Sequence, residues 1–426
     1  MQLKPRSTSS VQAGYKQTEV GVIPEDWDAV SIRDIFNFKQ GVQTPIDKQY
    51  ESSRKGLVRF IRIIDLTNAT EPPRYVEDPG KSHHVNHSDL FMVRYGTPGL
   101  IGTRCSGVIA NNLFRLLPKQ KVSKTFYYHY LGAKYDDLAD LSGSSTMPAI
   151  NFSALGNFWI CVPTKAEQEA IAGALSDADA WIESLEQLIA KKRRIKEGAS
   201  QALLTGKQRL PGFEVKSGYQ QTEVGVIPND WEATSLGSIT TLMTNGFVGT
   251  ATSQYRPDGV LYIQGYNVEE NSFNMHGIKF VNEAFHKAHM KSCLREDDLL
   301  TVQTGDVGLT TIVPKRLAGS NCHALIISRF NKQDVYPQFI SYYLNSKPGR
   351  ARLRQIEVGT TMKHINVADM LQFLAPLPTK AEQTAIAAIL SDMDAELDAL
   401  AGKLSKARQI KQGMMQELLT GKTRLV

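Results

Sequence analysis

Cysteine is scarce in this sequence: its four cysteines are Cys105, Cys161, Cys293 and Cys322. None of them forms a C-x-x-C pair, which argues against a disulfide framework and against a structural zinc site. No run of about 18 apolar residues, the length that can span a bilayer, occurs either. The segment Met1 to Ala13 is polar and lacks the apolar stretch of a signal peptide. We therefore expect a cytoplasmic protein with reduced thiols, no membrane partner and a disordered tail over residues 1–13.

Catalytic and cofactor-binding motifs are also missing. An adenine methyltransferase needs a [DN]PP[YF] loop, and the nearest string, Glu71 to Tyr75 (EPPRY), begins with the wrong residue and contains an inserted arginine. The sequence Gly421-Lys422-Thr423 resembles the end of a phosphate-binding loop, but Gln416 stands where the first glycine is required. His83, His84 and His87 lack a cysteine or carboxylate partner at ligand spacing and are interpreted as polar loop residues. The sequence therefore predicts no catalytic site, no metal and no cofactor.

The composition is that of a folded protein, with 42% hydrophobic and 22% charged residues. The chain has 426 residues, which is too long for one ordinary core. At roughly 100 to 200 residues per domain, this length suggests about two to four domains. The formal net charge of +6 permits a polyanionic partner, although a charge this small does not identify one.

The strongest signal is an internal repeat. Gly14 to Ile32 matches Gly218 to Leu236 without gaps, and 14 of the 19 positions are identical. A second block, Pro163 to Ala180, matches Pro378 to Ala395 at 14 of 18 positions. The chain is therefore two tandem copies of one unit.

Between these blocks the two copies share only a skeleton. Asp89-Leu90 with two following glycines corresponds to Asp298-Leu299 with two following glycines, and Thr146 to Asn151 corresponds to Thr361 to Asn366. Even drift after a duplication would spread the differences along the whole unit. The observed pattern instead favours constant assembly parts around two variable recognition surfaces on one fold.

Each second block begins with the signature of a helix. Thr164 and Glu167 form a T-x-x-E capping box, which Thr379 and Glu382 repeat. Apolar residues then recur at heptad spacing until a Leu-Thr-Gly-Lys sequence supplies a C-terminal glycine. The heptad positions are Ile171, Leu175, Ile182, Leu185 and Ile189 in the first copy, and Ile386, Leu390, Leu397, Leu400 and Leu404 in the second.

These helices of about 40 residues would each be about 60 Å long. The apolar stripe is narrow, so each helix needs one principal partner, and the matching stripe in the chain is that of the other copy. We expect the helices to pair in an antiparallel coiled coil, because each follows its own globular unit. The alternative is that each helix packs on its own domain.

The segments between the blocks resemble strands. Runs rich in Ile, Val, Phe and Tyr, such as Leu57 to Leu66 and Val260 to Val268, are bounded by turn residues. Trp27 and Trp231 are interpreted as core anchors rather than base-stacking residues. The predicted fold class is α+β: two tandem domains of mixed or mainly β structure, separated by two long antiparallel helices and related by a pseudo-twofold axis.

Taken together, the paired G-x-IP-x-DW starts, PT-x-AEQ helix starts and LTGK ends resemble the specificity subunits of type I restriction-modification enzymes. The resemblance covers nearly the whole chain, residues 1–13 excepted. It implies two target-recognition domains, each reading one half of a bipartite, asymmetric site in double-stranded DNA. It also implies that the helices fix the gap between the half-sites and dock two methyltransferase subunits, and that two restriction or motor subunits join the complex for cleavage.

This resemblance sets the expected boundaries. The two target-recognition domains are 14–162 and 218–377, the central helical region is 163–207, the linker is 208–217 and the C-terminal helical region is 378–426. We expect a sequence-specific DNA-binding protein that directs adenine methylation and restriction by its partners and is not catalytic alone. A stand-alone methyltransferase or nuclease and a scaffold that binds protein instead of DNA remain as alternatives.

The candidate DNA contacts are basic or polar residues and glycine-rich turns within the variable segments. Cations supply affinity for phosphates, whereas sequence is read at base edges. The basic run at Lys191 to Lys196 is interpreted as a solvated helix face. The candidates are Arg54, Lys55, Arg59, Lys81, His83, His84, Tyr95 and Thr97 in the first copy, and Gln303, Thr304, Lys363 and His364 in the second.

Overall fold

The computed structural model describes residues 13–68, 70–143, 148–359 and 363–426. Two compact units divide the chain: one is Met1–Glu186 with Lys403–Val426, and the other is Gln187–Gly402. The predicted tail lies outside the described residues apart from Ala13, and so do Thr146, Met147, Thr361 and Met362 of the two corresponding loops. Within the described ranges, no helix is both long and apolar enough to cross a membrane.

The first unit is built from short strands. Its strands are β1 (Tyr15–Thr18), β2 (Gly21–Pro24), β3 (Asp28–Ser31), β4 (Phe36–Gln40), β5 (Leu57–Ile61), β6 (Arg74–Glu77), β7 (His84–Val85), β8 (Leu90–Val93), β9 (Ile101–Gly102), β10 (Gly107–Ile109), β11 (Leu113–Pro118) and β12 (Trp159–Val162). Its helices are α1 (Ile32–Ile35), α2 (Ile64–Thr67), α3 (Lys124–Ala133), α4 (Tyr135–Asp140), α5 (Phe152–Gly156) and the start of the long α6 (Lys165–Leu204). The strand orders are β6-β5-β10-β7, β4-β11-β8-β9, β1-β2 and β12-β3.

The second unit repeats this plan and adds a hairpin. Its strands are β13 (Tyr219–Thr222), β14 (Gly225–Pro228), β15 (Glu232–Ser235), β16 (Thr240–Asn245), β17 (Tyr255–Arg256), β18 (Val260–Ile263), β19 (Val268–Glu269), β20 (Ser272–Phe273), β21 (Lys279–Val281), β22 (Leu299–Val302), β23 (Thr310–Ile312), β24 (Asn321–Cys322), β25 (Leu325–Phe330) and β26 (Leu374–Leu377). Its helices are α7 (Leu236–Ile239), α8 (Glu283–Ala288), α9 (Pro337–Asn345), α10 (Lys347–Leu353), α11 (Val367–Gln372) and the start of the long α12 (Lys380–Leu418). The strand orders are β16-β25-β22-β23, β17-β21-β18-β24, β13-β14, β15-β26 and the added β19-β20.

Each globular part is closed by pairing the last strand of its first constant block with the strand that directly precedes its long helix. In the first unit β3 runs antiparallel to β12, with Ser31 opposite Trp159. In the second unit β15 pairs in the same way with β26, with Ser235 opposite Leu374. The chain therefore leaves each globular part beside the place where it entered, and the long helix begins there.

The predicted fold class is confirmed, and ion pairs inside each unit show the antiparallel direction of the helices. In the first unit Asp179 and Glu186 of α6 pair with Lys411 and Arg408 of α12, each at 2.5 Å. The second unit contains the pairs Lys192–Glu396 at 2.7 Å and Lys196–Asp394 at 2.5 Å. In both units the residue number rises along α6 as it falls along α12.

The basic run on α6 is not simply a solvated face. The side chain of Lys196 is only 19% exposed, and its ammonium lies beside Asp394 and over the ring of Tyr342. Lys192 pairs with Glu396. Two cations of the run therefore connect the helices within the second unit.

The heptad residues at the start of each long helix pack on two partners. Ile171 and Leu175 are buried in the core of the first unit together with Leu418 and Leu419. Ile386 and Leu390 are buried in the core of the second unit together with Leu203 and Leu204. The start of each helix therefore packs on its own globular part and on the end of the other helix. Of the remaining positions, Leu185, Ile189 and Leu400 are buried, and Ile182, Leu397 and Leu404 are partly buried.

The repeated motifs meet in one joint in each unit. In the second unit Arg209 contacts Asp230 at 2.7 Å and Glu382 at 2.8 Å, and Trp231 Nε1 donates to Glu382 at 3.0 Å. The first unit has the same joint, formed by Arg424, Asp26, Glu167 and Trp27, and Trp27 Nε1 donates to Glu167 at 2.7 Å. Trp27 and Trp231 are almost completely buried, which confirms them as core anchors.

This joint corrects the predicted role of the two glutamates. Thr164 and Thr379 accept hydrogen bonds from the backbone N–H groups of Glu167 and Glu382, as a capping box requires. The carboxylates, however, accept from tryptophan and arginine side chains. Local spacing predicted the helix start correctly, but the partners come from distant parts of the chain.

The glycine of each Leu-Thr-Gly-Lys sequence completes the joint. Gly206 has φ +70°, and a Cβ at this position would lie 2.5 Å from the ring of Pro228. Gly421 has φ +71° and faces Pro24 in the same way, and the hydroxyl of Tyr15 donates to its carbonyl oxygen at 3.0 Å. The resemblance of Gly421-Lys422-Thr423 to a phosphate-binding loop is thus explained by a docking turn.

A Gly206→Ala substitution is expected to destabilise the second unit by about 1 to 3 kcal/mol, through the left-handed backbone and the contact with Pro228. Gly198→Ala is the control, because Gly198 lies within α6, just before Gly206, and its Cβ would meet no neighbouring atom within 4 Å. That control should stabilise the protein by about 0.5 to 1 kcal/mol. Urea unfolding of both variants measures the two effects, and equal shifts would show that Gly206 has no special role.

Candidate nucleic-acid interface

A glycine turn of the same construction projects from each unit. In the first unit Tyr95 forms a bridge with Ala149, and Ile150 N–H donates to the carbonyl oxygen of Arg94 at 2.8 Å. In the second unit the corresponding bridge joins Thr304 to His364, and Ile365 N–H donates to Gln303 at 3.2 Å. The structure therefore places Gln303, Thr304, Lys363 and His364 on one surface.

The glycines determine the shape of these turns. Gly96 and Gly99 have φ values of +102° and +89°, and Gly305 and Gly308 have +88° and +81°, a region that favours glycine. A Cβ on Gly99 would lie 3.0 Å from Leu138 of α4. Gly308 is equally close to α10, because its Cβ would lie 2.9 Å from the guanidinium of Arg350. Each turn is thus held against the short helix of its own unit.

The two turns present different chemistry. Tyr95 and Thr97 are partly exposed in the first unit, whereas Gln303 is partly exposed and Thr304 exposed in the second. The Oγ1 atom of Thr97 is buried and has no hydrogen-bond partner within the described part of the chain. Lys363 is 64% exposed and pairs with Glu357 at 3.2 Å. The two turns therefore have the same backbone conformation but present different side chains to a ligand.

The other candidates of the first unit lie on separate segments. Arg54 and Lys55 are exposed in the loop before β5. Arg59 lies on β5, 3.7 Å from the buried carboxylate of Asp65, which partly neutralises it. These three residues belong to a different segment from the turn at Tyr95.

A third segment carries Lys81, His83 and His84, immediately before and within β7. The His84 ring contacts Asp78 at 2.7 Å, and the hydrogen bond from His84 lowers the pKa of the Asp78 carboxyl. Lys39 Nζ and Arg115 Nη1 donate to the carbonyl oxygen of Ser82 at 2.7 and 3.2 Å. Lys39 and Arg115 were not predicted, and their position on paired strands β4 and β11 brings them to this segment.

The aspartates of the shared skeleton are structural. Asp89 pairs with Lys124 at 2.7 Å; burial opposes its ionisation, but the ammonium and a backbone N–H outweigh that effect and lower its pKa. Asp298 is almost fully buried and pairs with Arg329 at 2.6 Å. These residues hold the sheet that carries each turn. In the described ranges, no group of His, Cys, Asp or Glu has the arrangement of a metal site.

The family comparison agrees with this arrangement. A family model described as "Type I restriction modification DNA specificity domain" matches residues 24–192 and 228–409. The type I restriction enzyme MjaVIII specificity subunit of Methanocaldococcus jannaschii is 24% identical over 421 residues, which are 97% of each chain. The EcoBI specificity subunit of Escherichia coli is 21% identical over 93% of this chain and 85% of its own.

A solved structure shows a related fold. The S subunit of a type I restriction-modification system from M. genitalium superimposes with a TM-score of 0.60 at 15% sequence identity. The superposition covers 92% of this chain and 96% of that one. Two β-rich units with constant joints and divergent turns thus define a tandem recognition protein. The chain belongs to the family of type I restriction-modification DNA specificity proteins; as a specificity subunit it recognises DNA sequence and is not catalytic alone.

Proposed function

We propose that this chain reads a bipartite, asymmetric target in double-stranded DNA, one half with each of its two globular parts. The target-recognition domains would be residues 14–162 and 218–377. The observation that carries the proposal is the contrast between the joints and the turns. Arg424, Asp26, Glu167 and Trp27 recur as Arg209, Asp230, Glu382 and Trp231 with the same contacts, whereas the exposed residues of the turns differ.

Two kinds of contact are proposed within each domain. Side chains on the turns that are at least partly exposed, Tyr95 in one unit and Gln303, Thr304 and His364 in the other, would approach base edges, because amide, hydroxyl and imidazole groups can exchange hydrogen bonds with them. Thr97 is kept as a candidate beside Tyr95, but its Oγ1 atom is buried in the free protein. Cations outside the turns would bind phosphates, which position a protein without reading sequence. These cations are Arg54, Lys55, Arg59, Lys81 and Lys363, with His83 and His84 beside them.

The partners are those that the family resemblance implies. Adenine methylation would be performed by two methyltransferase subunits that the chain directs to the site. Two restriction or motor subunits would join for cleavage. The two long helices would dock the methyltransferase subunits and fix the gap between the half-sites, because their ion pairs and buried heptad residues make them stiff connections.

Sequencing of methylated adenines tests the proposal. A host that expresses this chain with its cognate methyltransferase subunit should carry methylated adenine in two short sequences separated by a gap of fixed length. Hosts that express either protein alone should lack this pattern. A contiguous methylated motif, or the same motif in the absence of this chain, would contradict the proposal.

A further inference from the structure

The short helix that supports each turn carries opposite charge in the two units. The helices α4 and α10 occupy equivalent positions, since each directly follows the helix α3 or α9 and packs on the second glycine of its turn. Residues 347–354 contain the cations Lys347, Arg350, Arg352 and Arg354 and no acid. In α4 the charged residues are Asp136, Asp137 and Asp140.

Two of the four cations, Arg350 and Arg352, contact other parts of the second unit. Arg350 is half-buried, and its Nη1 donates to the carbonyl oxygen of Val307 in the turn at 2.9 Å. Arg352 Nη1 donates to the carbonyl oxygen of Glu223 at 2.5 Å, and its guanidinium lies over the ring of Phe373. These two arginines fasten α10 to the turn and to a constant hairpin.

The other two cations have no such task. Lys347 and Arg354 are exposed, and neither forms an ion pair with another residue in the described ranges. They are seven residues apart, which places them on one face of the helix two turns from each other. Lys347 also stands in the first helical turn, where a cation opposes the helix dipole. Helix stability therefore does not explain its presence.

The equivalent surface of the first unit cannot hold an anion in the same way. Asp136, Asp137 and Asp140 are all exposed, and Lys134 pairs with Asp137 at 3.1 Å. A phosphate beside three carboxylates would be repelled. At physiological ionic strength this repulsion acts over a distance of about 8 Å before salt screens it. An anion that binds along α10 would therefore not be bound in the same way along α4.

We propose that Lys347 and Arg354 bind the phosphodiester backbone beside the second half-site, and that the first unit has no phosphate contact at the corresponding helix. The two domains therefore hold DNA with unequal electrostatic strength. This inference rests on the proposed function and identifies where phosphate affinity resides. A common protein subunit is not the occupant that the charges favour, since it would need matching charge on both helices.

The salt dependence of DNA binding tests this inference. The full chain in complex with its methyltransferase subunit is titrated with a fluorescent duplex of random sequence at several salt concentrations. Each phosphate contact contributes about 0.9 to the slope of log affinity against log salt, so Lys347→Gln/Arg354→Gln should reduce the slope by about 1.8. Asp136→Asn/Asp137→Asn in the first unit should leave it unchanged.

Lys216→Gln, compared with Lys347→Gln and Arg354→Gln made singly, is the control for loss of one positive charge, because Lys216 is exposed in the linker between the constant parts. It should not change the slope. A wild-type slope in the double variant would overturn the inference, and so would loss of the methyltransferase subunit from that variant, which would make α10 a protein interface. A wild-type complex that does not bind duplex at all would instead contradict the proposed function. Unchanged thermal melting shows that the variants are folded.

Discussion

Arg209→Ala is expected to destabilise the second unit by about 3 to 5 kcal/mol, because it leaves a buried carboxylate without its counter-charge. The side chains of Arg209, Asp230 and Glu382 are 10%, 9% and 2% exposed. Burial raises the pKa of the Asp230 carboxyl, but hydrogen bonds from Arg209 and from the Val215 N–H outweigh that effect and bring it down to about 2. The Asp230 carboxylate is therefore charged at neutral pH in the folded protein.

The first unit provides a matched comparison. Arg424 makes the same contacts with Asp26 and Glu167, but its side chain is 33% exposed and that of Asp26 is 51% exposed. Glu167 is as buried as Glu382, but water reaches Arg424 and Asp26, so Arg424→Ala should cost less than Arg209→Ala. Urea unfolding gives the two losses, and hydrogen exchange of residues 219–232 shows whether the second unit loosens at its joint.

A double variant separates the lost charge pair from lost packing. Arg209→Ala/Glu382→Gln removes one of the two buried acidic charges, that of Glu382, and retains an oxygen that can accept from Trp231, so it should recover part of the stability lost by Arg209→Ala. A loss of less than about 1 kcal/mol for Arg209→Ala, the value typical of a surface pair, would show that the joint is not a major source of stability.

The same joint has a defined dependence on pH. The folded-state pKa of Asp230 is depressed from 3.8 to about 2, so the stabilisation is fully present above the unfolded value and is lost as the pH falls through the folded one. The contribution of Asp230 should therefore disappear between about pH 4 and pH 2.

The sequence predicts the long elements well because their signals are local. Heptad spacing and the Thr-x-x-Glu pattern indicate the helix starts within a few residues, and the structure has α6 at Lys165–Leu204 and α12 at Lys380–Leu418. The pairing of the Glu167 carboxylate with Arg424 was not predictable from that pattern, because Arg424 lies 257 residues away in the chain. Recurrence of arginine at the same place after both Leu-Thr-Gly-Lys sequences was the available signal.

The recognition surface is less predictable for the same reason. The turns at Gly96 and Gly305 could be found from their glycines, but charge along the chain does not show which cations are neutralised across strands. Arg115 on β11 is an example, because the fold brings its guanidinium within 3.5 Å of Asp89, 26 residues earlier in the chain. The sequence also does not show that α4 and α10, which carry opposite charge, support equivalent turns, because this equivalence depends on the contacts of Gly99 and Gly308 in the fold.

Exchange of residues 32–158 for the corresponding segment of another family member should change one half of the methylated site and leave the other half intact. The cut points preserve the pairing of β3 with β12 and lie outside the joint formed by Trp27, Glu167 and Arg424. The reciprocal exchange of residues 236–373 should alter the opposite half. It preserves the pairing of β15 with β26.

The central claim is that one chain carries two separate readers on a constant framework, and sequencing of methylated adenines in hosts carrying the two exchanged chains tests it most directly. The account predicts that each exchange alters a different half-site while the gap stays the same length. A single exchange that altered both half-sites, or two exchanges that altered the same one, would contradict it.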